Sequence, residues 1–241
     1  LANSGEWLTG EGPMRDIVVS SRVRLARNLR DKPFPGWAKK AERLEILKSL
    51  RPAVEGLPEM AHSFSEALEA LSPMEKQVLV ERHLISREHA AKGVGSAVVM
   101  NLDQTLSVMI NEEDHLRMQA ILTGLQLEKV YGIIRKADEE LEQTLDFAFH
   151  DRLGYLTACP SNVGTGMRAS TMLHLPALVM SDQMGKIINS VNKIGLVVRG
   201  LHGEGTEAMG NLFQVSNQTT LGETEEEIIA RLNKVILQII E

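Results

Sequence analysis

Two short segments with strand composition follow each other in the middle of the chain, and they restrict the fold more than any other feature. Residues 95–100 and 105–110 are rich in β-branched and other apolar side chains. The four residues between them, Asn-Leu-Asp-Gln, have the composition of a hairpin turn. So short a connection joins antiparallel neighbours, because parallel strands need a crossover of about a dozen residues or more. The chain is therefore predicted to contain an antiparallel sheet.

The remaining segments show strand and helix patterns without an internal repeat. Strand patterns cover residues 16–25, 168–175, 195–199 and 212–216. Helical periodicity covers residues 37–54, 65–71, 73–83, 115–147 with an interruption near residue 124, 177–189 and 223–240. Strands joined sometimes by turns and sometimes by helices indicate an α+β fold, a mainly antiparallel sheet flanked by helices. No linker-like segment divides residues 1–241, so a single domain is predicted.

Charge and cysteine content exclude several classes of protein. The 241 residues include 32 acidic and 26 basic side chains, a net charge of -6, so the chain lacks the basic surface of a general nucleic-acid binder. Its single cysteine, Cys159, excludes an internal disulfide framework and a zinc cage built from cysteines. No apolar run approaches the roughly 18 residues of a spanning helix, and the N-terminus lacks the pattern of a signal peptide. We therefore expect a cytoplasmic protein that binds neither nucleic acid nor membranes.

The common enzyme signatures are missing. Residues 93–97 resemble a dinucleotide-binding fingerprint only faintly, since they precede a strand instead of opening a helix. The chain has no P-loop, no His-Glu-x-x-His and no Gly-x-Ser-x-Gly. Its seven histidines are scattered. His83 and His89 are six residues apart and do not share a helical face, which favours solvated or core positions over metal binding.

Four segments contain arginine, and three of them combine it with acidic, cysteine or glycine residues. They are Ser-Ser-Arg-Val-Arg at 20–24, Asn-Glu-Glu-Asp-His-Leu-Arg at 111–117, Cys-Pro-Ser-Asn-Val-Gly-Thr-Gly-Met-Arg at 159–168 and Arg-Gly-Leu-His-Gly-Glu at 199–204. Taken singly, each has an ordinary structural explanation: exposed strand arginines, an acidic helix N-terminus, a surface loop with a buried thiol, and a mobile loop. Together they place arginines at the ends of predicted strands and glutamates in loops.

If these segments converge at one edge of the sheet, they form a site for two oppositely charged partners. Several fixed guanidinium groups neutralise and orient the phosphate oxygens of a nucleoside triphosphate where no P-loop exists. Carboxylates placed opposite would hold a cationic acceptor. The convergence is an expectation that the tertiary structure must test.

With these four segments in this order, the chain resembles the ATP:guanidino phosphotransferases, or phosphagen kinases, over residues 12–220. The resemblance implies a guanidino kinase fold of the glutamine synthetase type, with ATP and Mg²⁺ as cofactors. It implies that five arginines bind the nucleotide phosphates: Arg22, Arg24, Arg117, Arg168 and Arg199. It also implies that Glu113 and Glu204 hold the acceptor guanidinium, one of them as base, and that Cys159 tunes it as a thiolate. Glu112 is expected to reach the metal through water.

The resemblance also implies a particular acceptor. The small helical domain that precedes the arginine segment in kinases of free guanidino compounds is expected to be absent, because that segment begins at Ser20. The resemblance therefore implies phosphorylation of arginine side chains in proteins, in stress response and protein quality control. A C-terminal helical domain of that branch is not expected within residues 1–241. The partners implied are a zinc-binding activator protein, a Clp-type AAA+ protease and, in the full-length protein, a second copy.

Two alternatives remain open. The chain could phosphorylate a small guanidino compound, in which case free arginine would be the better acceptor. It could also be a non-catalytic module that binds nucleotide or phosphoarginine. Such a module is expected to have lost a glutamate or an arginine of the four segments, and none is lost.

Overall fold

The computed structural model describes residues 5–200 and 209–241. The strands are β1 (Val18–Arg27), β2 (Phe64–Ala67), β3 (Ala97–Met100), β4 (Leu106–Ile110), β5 (Leu116–Thr123), β6 (Phe149–His150), β7 (Gly154–Tyr155), β8 (Met167–His174), β9 (Leu196–Gly200) and β10 (Leu212–Asn217). The helices are α1 (Glu6–Thr9), α2 (Lys40–Glu55), α3 (Pro73–Glu81), α4 (Arg87–Ala90), α5 (Leu127–Glu142), α6 (Pro176–Met180), α7 (Met184–Asn192) and α8 (Glu225–Ile240).

Eight strands form one sheet in the order β2-β3-β4-β5-β1-β8-β10-β9, and every pairing in it is antiparallel. The predicted α+β fold with a mainly antiparallel sheet is therefore confirmed. The hairpin predicted from residues 95–110 is β3 and β4, which pair Ala97 with Ile110. β1 lies in the interior of the sheet between β5 and β8, so its side chains are surrounded by those of two neighbouring strands.

One face of the sheet buries the main hydrophobic core. Successive side chains of a strand point to opposite faces, so Val23 and Leu25 of β1 enter this core together with Ala120 of β5 and Ala169 of β8. Helix α5 covers β1 and β5, α8 covers β8 and β10, α2 covers β3 and β4, and α7 covers β9. The helices thus shield the apolar half of each strand from water.

The opposite face is divided into an apolar part and a polar part. Over β3 and β4, α3 and the short helical turn Leu68–Ala70 enclose a second, smaller core that includes Leu79, Met100 and Met109. Over β5, β1 and β8, the same face carries Arg22 and Arg24 instead of apolar side chains. This division places a charged surface in the middle of the sheet, next to the second hydrophobic core.

Three of the predicted helical segments differ from the structure. Residues 116–123, predicted as the start of a long helix, form β5, and helix α5 begins only at Leu127. The sequence of β5, Leu-Arg-Met-Gln-Ala-Ile-Leu-Thr, alternates apolar and polar residues except at Ile121, but most of these residue types also have high helix propensity, which favoured the helix. Residues 64–67 form the edge strand β2 instead of a helix, and the predicted helix 177–189 is divided into α6 and α7.

Buried His89 makes the stability of the fold dependent on pH. Burial lowers the pKa of His89 to about 4, and its Nε2 lies 3.0 Å from the carbonyl oxygen of Ala97. Because the pKa in the unfolded chain is about 6.5, the stability due to neutral His89 is fully present above that pH and is lost as pH falls towards 4. We expect the free energy of unfolding to fall by about 3 kcal/mol over this range, measured by urea unfolding. The variant His89→Gln should show a smaller decrease, and an equal decrease in both proteins would contradict this assignment.

Candidate active site

The structure brings the five predicted arginines onto one face of the sheet. Arg24 of β1 lies opposite Arg168 of β8 and opposite Gln119 of β5. Arg117 is two residues before Gln119 and therefore shares its face, and Arg22 shares the face of Arg24 for the same reason. Arg117, Arg168 and Arg199 lie near the ends of their strands, whereas Arg22 and Arg24 lie within β1, in the interior of the sheet.

Gln214 of β10 connects the fifth arginine to this face. Its side-chain oxygen accepts a hydrogen bond from Nη2 of Arg22 at 3.2 Å, and its Cα lies opposite Arg199 of β9. Arg199 is exposed near the end of the outermost strand. The row of arginines therefore runs across the sheet from β5 to β9. No sequence motif pointed to Gln214 as the residue between Arg22 and Arg199.

The arginines destabilise one another in the absence of an anion. Burial, together with the positive charge of Arg117, lowers the pKa of Arg22 to about 10. The pKa of Arg24 is lowered by burial and by the charges of Arg22, Arg117 and Arg168, and its Nε is buried without a partner among the described residues. The pKa of Arg168 is lowered by burial and by Arg199. A polyanion bound here would offset the repulsion between the arginines and favour their charged forms.

A cavity of about 360 Å³ lies between the arginines and the α3–α4 segment. Its lining includes Arg22, Arg24 and Arg117 on the sheet side, and His83 and Ser86 on the helical side. Anionic groups bound here would contact the arginines, while the rest of the ligand would contact the helical wall. Sequence reasoning left His83 out, because a lone histidine between two helical segments carries no motif.

Arg117 is held by Glu112. Nη1 of Arg117 donates to Oε1 of Glu112 at 2.8 Å, the hydroxyl of Ser86 donates to the same oxygen at 2.7 Å, and the backbone N–H of Glu113 donates to Oε2 at 2.7 Å. Burial acts to raise the pKa of Glu112, but Arg117 and these hydrogen bonds outweigh it and the pKa lies below its usual value. Glu112 is therefore a buried, ionised partner of Arg117, with both carboxylate oxygens already accepting hydrogen bonds.

Glu113 has the opposite environment. Its side chain is exposed, but neighbouring protein still removes part of its contact with water. This partial desolvation, together with the charges of Asp114 and Glu112, raises the pKa of Glu113. It lines a cavity of about 560 Å³ and a narrow one of about 30 Å³, and Arg117 lines both. The narrow cavity is also lined by Arg24 and Arg168. Glu113, a carboxylate with a raised pKa, therefore lies between the arginine row and the 560 Å³ cavity.

The acidic segment is a turn between β4 and β5, and the expected helix N-terminus is wrong here. Asn111 has a φ of 57°, and its side-chain amide donates to the carbonyl oxygens of Arg43 and Gly95. Asp114 accepts hydrogen bonds from Nδ2 of Asn28 at 2.6 Å and from the backbone N–H of Ala158 at 2.7 Å. Asp114 therefore connects the end of β1 and the turn to the loop that carries Cys159.

The segment of residues 159–168 brings Cys159 close to Arg168. Cys159 is half-buried, with its Sγ 3.0 Å from the hydroxyl of Ser161, and it lies close enough to Arg168 to interact with it electrostatically. Gly164 has a φ of 115°, and a Cβ there would collide with the carbonyl oxygen of Thr220. Glycine is therefore required at position 164 by the close packing of the backbone.

Glu204, the second predicted substrate carboxylate, lies outside the described residues. Within residues 5–200 and 209–241, no three His, Cys, Asp or Glu side chains are grouped so that they could hold a metal ion. In the same part of the chain, no helix is long and apolar enough to cross a membrane.

A row of arginines beside an exposed carboxylate, on an antiparallel sheet without a P-loop, defines a site that transfers an anionic group to a cationic acceptor. The chain belongs to the ATP:guanido phosphotransferase family, whose C-terminal catalytic domain matches residues 45–241. The arginines of β1 precede the matched residues.

Curated relatives match nearly the whole chain. The protein-arginine kinase of Halothermothrix orenii is 50% identical over 99% of this chain and 68% of its own length, and that of Moorella thermoacetica is 49% identical over 99% and 69%. Among solved structures, the duplicated taurocyamine kinase of Schistosoma mansoni with bound transition state analog components has a TM-score of 0.85 at 28% identity, covering 95% of this chain and 33% of that one. A lombricine kinase has a TM-score of 0.82 at 25% identity, covering 99% and 70%.

Proposed function

We propose that the protein transfers the γ-phosphoryl group of ATP to a guanidinium nitrogen of arginine side chains in proteins. The observation that carries the proposal is the row of arginines that repel one another on one sheet face and end at Glu113. The similarity to relatives named protein-arginine kinases over 99% of the chain supports the acceptor.

The arginines would bind and orient the triphosphate. Arg22, Arg24, Arg117 and Arg168 present forked donors to phosphate oxygens, and Arg199 would reach them from β9. Mg²⁺ carried by the nucleotide would supply further charge neutralisation at the phosphates. Glu112 holds Arg117 in place, and the water-mediated contact to the metal expected from the sequence remains part of the proposal. Positioning and charge neutralisation account for most of the catalysis of phosphoryl transfer.

The acceptor needs a base because a guanidinium has a pKa above about 12 and its nitrogen is a poor nucleophile. In the proposed step, an N–P bond forms as the bond between the γ-phosphorus and the bridging oxygen breaks, and ADP leaves. The proton released from the nitrogen passes to Glu113, whose raised pKa suits this role. Glu204 would hold the other side of the guanidinium. Cys159, near Arg168, would act on the acceptor electrostatically as a thiolate.

The cellular setting is the part of the proposal that rests on the family resemblance alone. We place the protein in the cytoplasm, in stress response and protein quality control. A zinc-binding activator, a Clp-type AAA+ protease and a second copy of the chain are its proposed partners.

A competition assay tests the proposal. The protein is incubated with Mg-ATP, free arginine and an arginine-rich unfolded protein together, and the products are analysed by mass spectrometry without acid treatment. We expect N-phosphate on protein arginine, lost in Glu204→Gln and kept in Glu207→Gln, a matched change nearby in the sequence. Phosphate on free arginine alone would contradict the protein substrate and indicate a kinase of small guanidino compounds. ATP binding with no product would indicate a binding module.

A further inference from the structure

The 560 Å³ cavity beside Glu113 is larger than one guanidinium group requires. Its volume is in the range of pockets that hold drug-sized ligands. It is lined by Phe34, Trp37, Glu88, Lys92, Glu113 and Ala158, and Glu112 and Arg117 lie at its inner end. We call this cavity the acceptor groove. Of the five arginines of the row, Arg117 lines this cavity and the other four do not, so most of the proposed phosphate-binding groups lie outside it.

Trp37 is the most unusual side chain of the acceptor groove. It is 88% exposed, whereas the second tryptophan of the chain, Trp7, is only 7% exposed. A large aromatic side chain left almost entirely in water is a common feature of binding surfaces, where aromatic residues contribute much of the affinity. Among the described residues, no aromatic ring or cation packs on the Trp37 indole.

The backbone around Trp37 is fixed relative to Glu113. The Trp37 N–H donates to the carbonyl oxygen of Phe34 at 2.8 Å. The Phe34 ring packs edge-to-face on His115 with centroids 6.4 Å apart, and Nε2 of His115 lies 2.9 Å from the carbonyl oxygen of Pro33. His115 is two residues from Glu113. Residues 33–37 are therefore anchored to the turn between β4 and β5, which carries the proposed base. The backbone that carries Trp37 is thus anchored near the proposed base, while its indole is exposed to a ligand.

The charge of the acceptor groove favours a cationic ligand. Glu112 is neutralised by Arg117, which leaves Glu88 and Glu113 as exposed carboxylates on the groove wall. Their charges interact, since Glu88 contributes to raising the pKa of Glu113. Lys92 is the one basic side chain lining the groove apart from Arg117. One carboxylate is thus available to a cation besides the acceptor guanidinium.

We propose that the acceptor groove binds the polypeptide that flanks the acceptor arginine, with Trp37 packing against it and Glu88 pairing with a second basic side chain nearby. This inference rests on the proposed function and adds a substrate preference to it: arginines followed or preceded closely by another basic residue. The groove, with its exposed tryptophan and second carboxylate, has more surface than a free guanidino compound could contact.

Steady-state kinetics with two peptides test the inference. Each peptide contains one arginine among alanine and serine, and one of them also has a lysine two residues away. For Trp37→Ala we expect the KM for both peptides to rise about tenfold or more while the KM for ATP stays unchanged. Glu88→Gln should raise the KM for the lysine-containing peptide and leave that for the other peptide unchanged. Because Glu88 also lines the 360 Å³ cavity, the KM for ATP is measured in the same variant, and a rise there instead would contradict its pairing with the peptide. Met180→Ala, which removes a side chain 87% exposed and outside the groove, is the matched control.

Tryptophan fluorescence gives an independent readout of the same contact. Peptide binding should shift the emission of the exposed Trp37 to the blue, and Trp37→Phe should abolish the shift while buried Trp7 still reports an intact fold. If the wild type phosphorylates peptides but Trp37→Ala has unchanged KM values, the groove proposal is overturned and the proposed function stands. If the wild type phosphorylates no arginine in any peptide or protein, both are overturned.

Discussion

Replacing Glu113 with glutamine is expected to lower kcat for phosphoryl transfer by about 10²–10⁴-fold, the usual contribution of a positioned general base. The amide keeps the size of the side chain but neither accepts the proton nor attracts the guanidinium. Because Glu113 is exposed and its carboxylate is destabilised by Asp114 and Glu112, the fold itself should lose no stability. Initial rates of phosphoarginine formation and thermal unfolding of the same samples measure both effects.

Glu69→Gln is the matched control for this prediction. Glu69 is an exposed glutamate in the turn Leu68–Ala70, away from the cavities that Glu113 lines. Its variant should retain the wild-type rate. Nucleotide binding, measured by calorimetry, should not weaken in either variant, since Glu113 does not line the 360 Å³ cavity and its replacement removes a negative charge beside Arg24, Arg117 and Arg168. A Glu113→Gln enzyme with near wild-type kcat would remove Glu113 from the role of base.

Replacing Arg24 with methionine is expected to raise stability and to destroy activity. The pKa of Arg24 is lowered because its charge is buried among three other arginines, so the charged form is disfavoured by folding. A neutral side chain of similar length removes that unfavourable term, and we expect the melting temperature of the nucleotide-free protein to rise by about 2 °C or more. The rate should fall by about 10²-fold or more, as for the loss of a single anion-stabilising donor.

Arg24→Lys and Arg152→Met complete the experiment. Lysine keeps the charge but lacks the planar fork, so it should not raise the melting temperature and should restore little activity. Arg152 is exposed in the turn between β6 and β7, and its replacement should change neither property. Addition of Mg-ATP should raise the melting temperature of the wild type and leave that of Arg24→Met nearly unchanged. A destabilised Arg24→Met protein would show that Arg24 supports the fold instead of the ligand.

The local parts of this structure could be predicted from the sequence. The alternation in residues 20–25 identifies β1, and the turn between residues 100 and 105 identifies the β3–β4 hairpin. Ser72 is an N-cap whose hydroxyl accepts the N–H of Glu75, as the Ser72-Pro73 pair indicates. These features depend on contacts within a few residues, so the amino-acid pattern carries them directly.

The centre of the sheet could not be predicted in the same way. The sequence of β5 favours a helix because Leu, Arg, Met, Gln and Ala are good helix formers, although its apolar residues also alternate as in a strand. Its conformation is decided by pairing with β4, which closely precedes it, and with β1, which is distant in the sequence. The pairing with β1 also brings Arg117 near Arg24, a proximity that no local sequence pattern carries.

By itself, the sequence determined the chemical groups and their order: five arginines, paired glutamates and one cysteine in four segments. Only the tertiary structure decided which groups are bound to one another and which are available to ligands. Glu112 and Glu113 are adjacent and identical, yet one is 2% exposed and paired with Arg117 while the other faces the acceptor groove. The turn between β4 and β5 gives the two side chains different surroundings. Arg117 and three hydrogen bonds lower the pKa of Glu112 against the opposing effect of burial, whereas partial desolvation and the charges of Asp114 and Glu112 raise the pKa of Glu113.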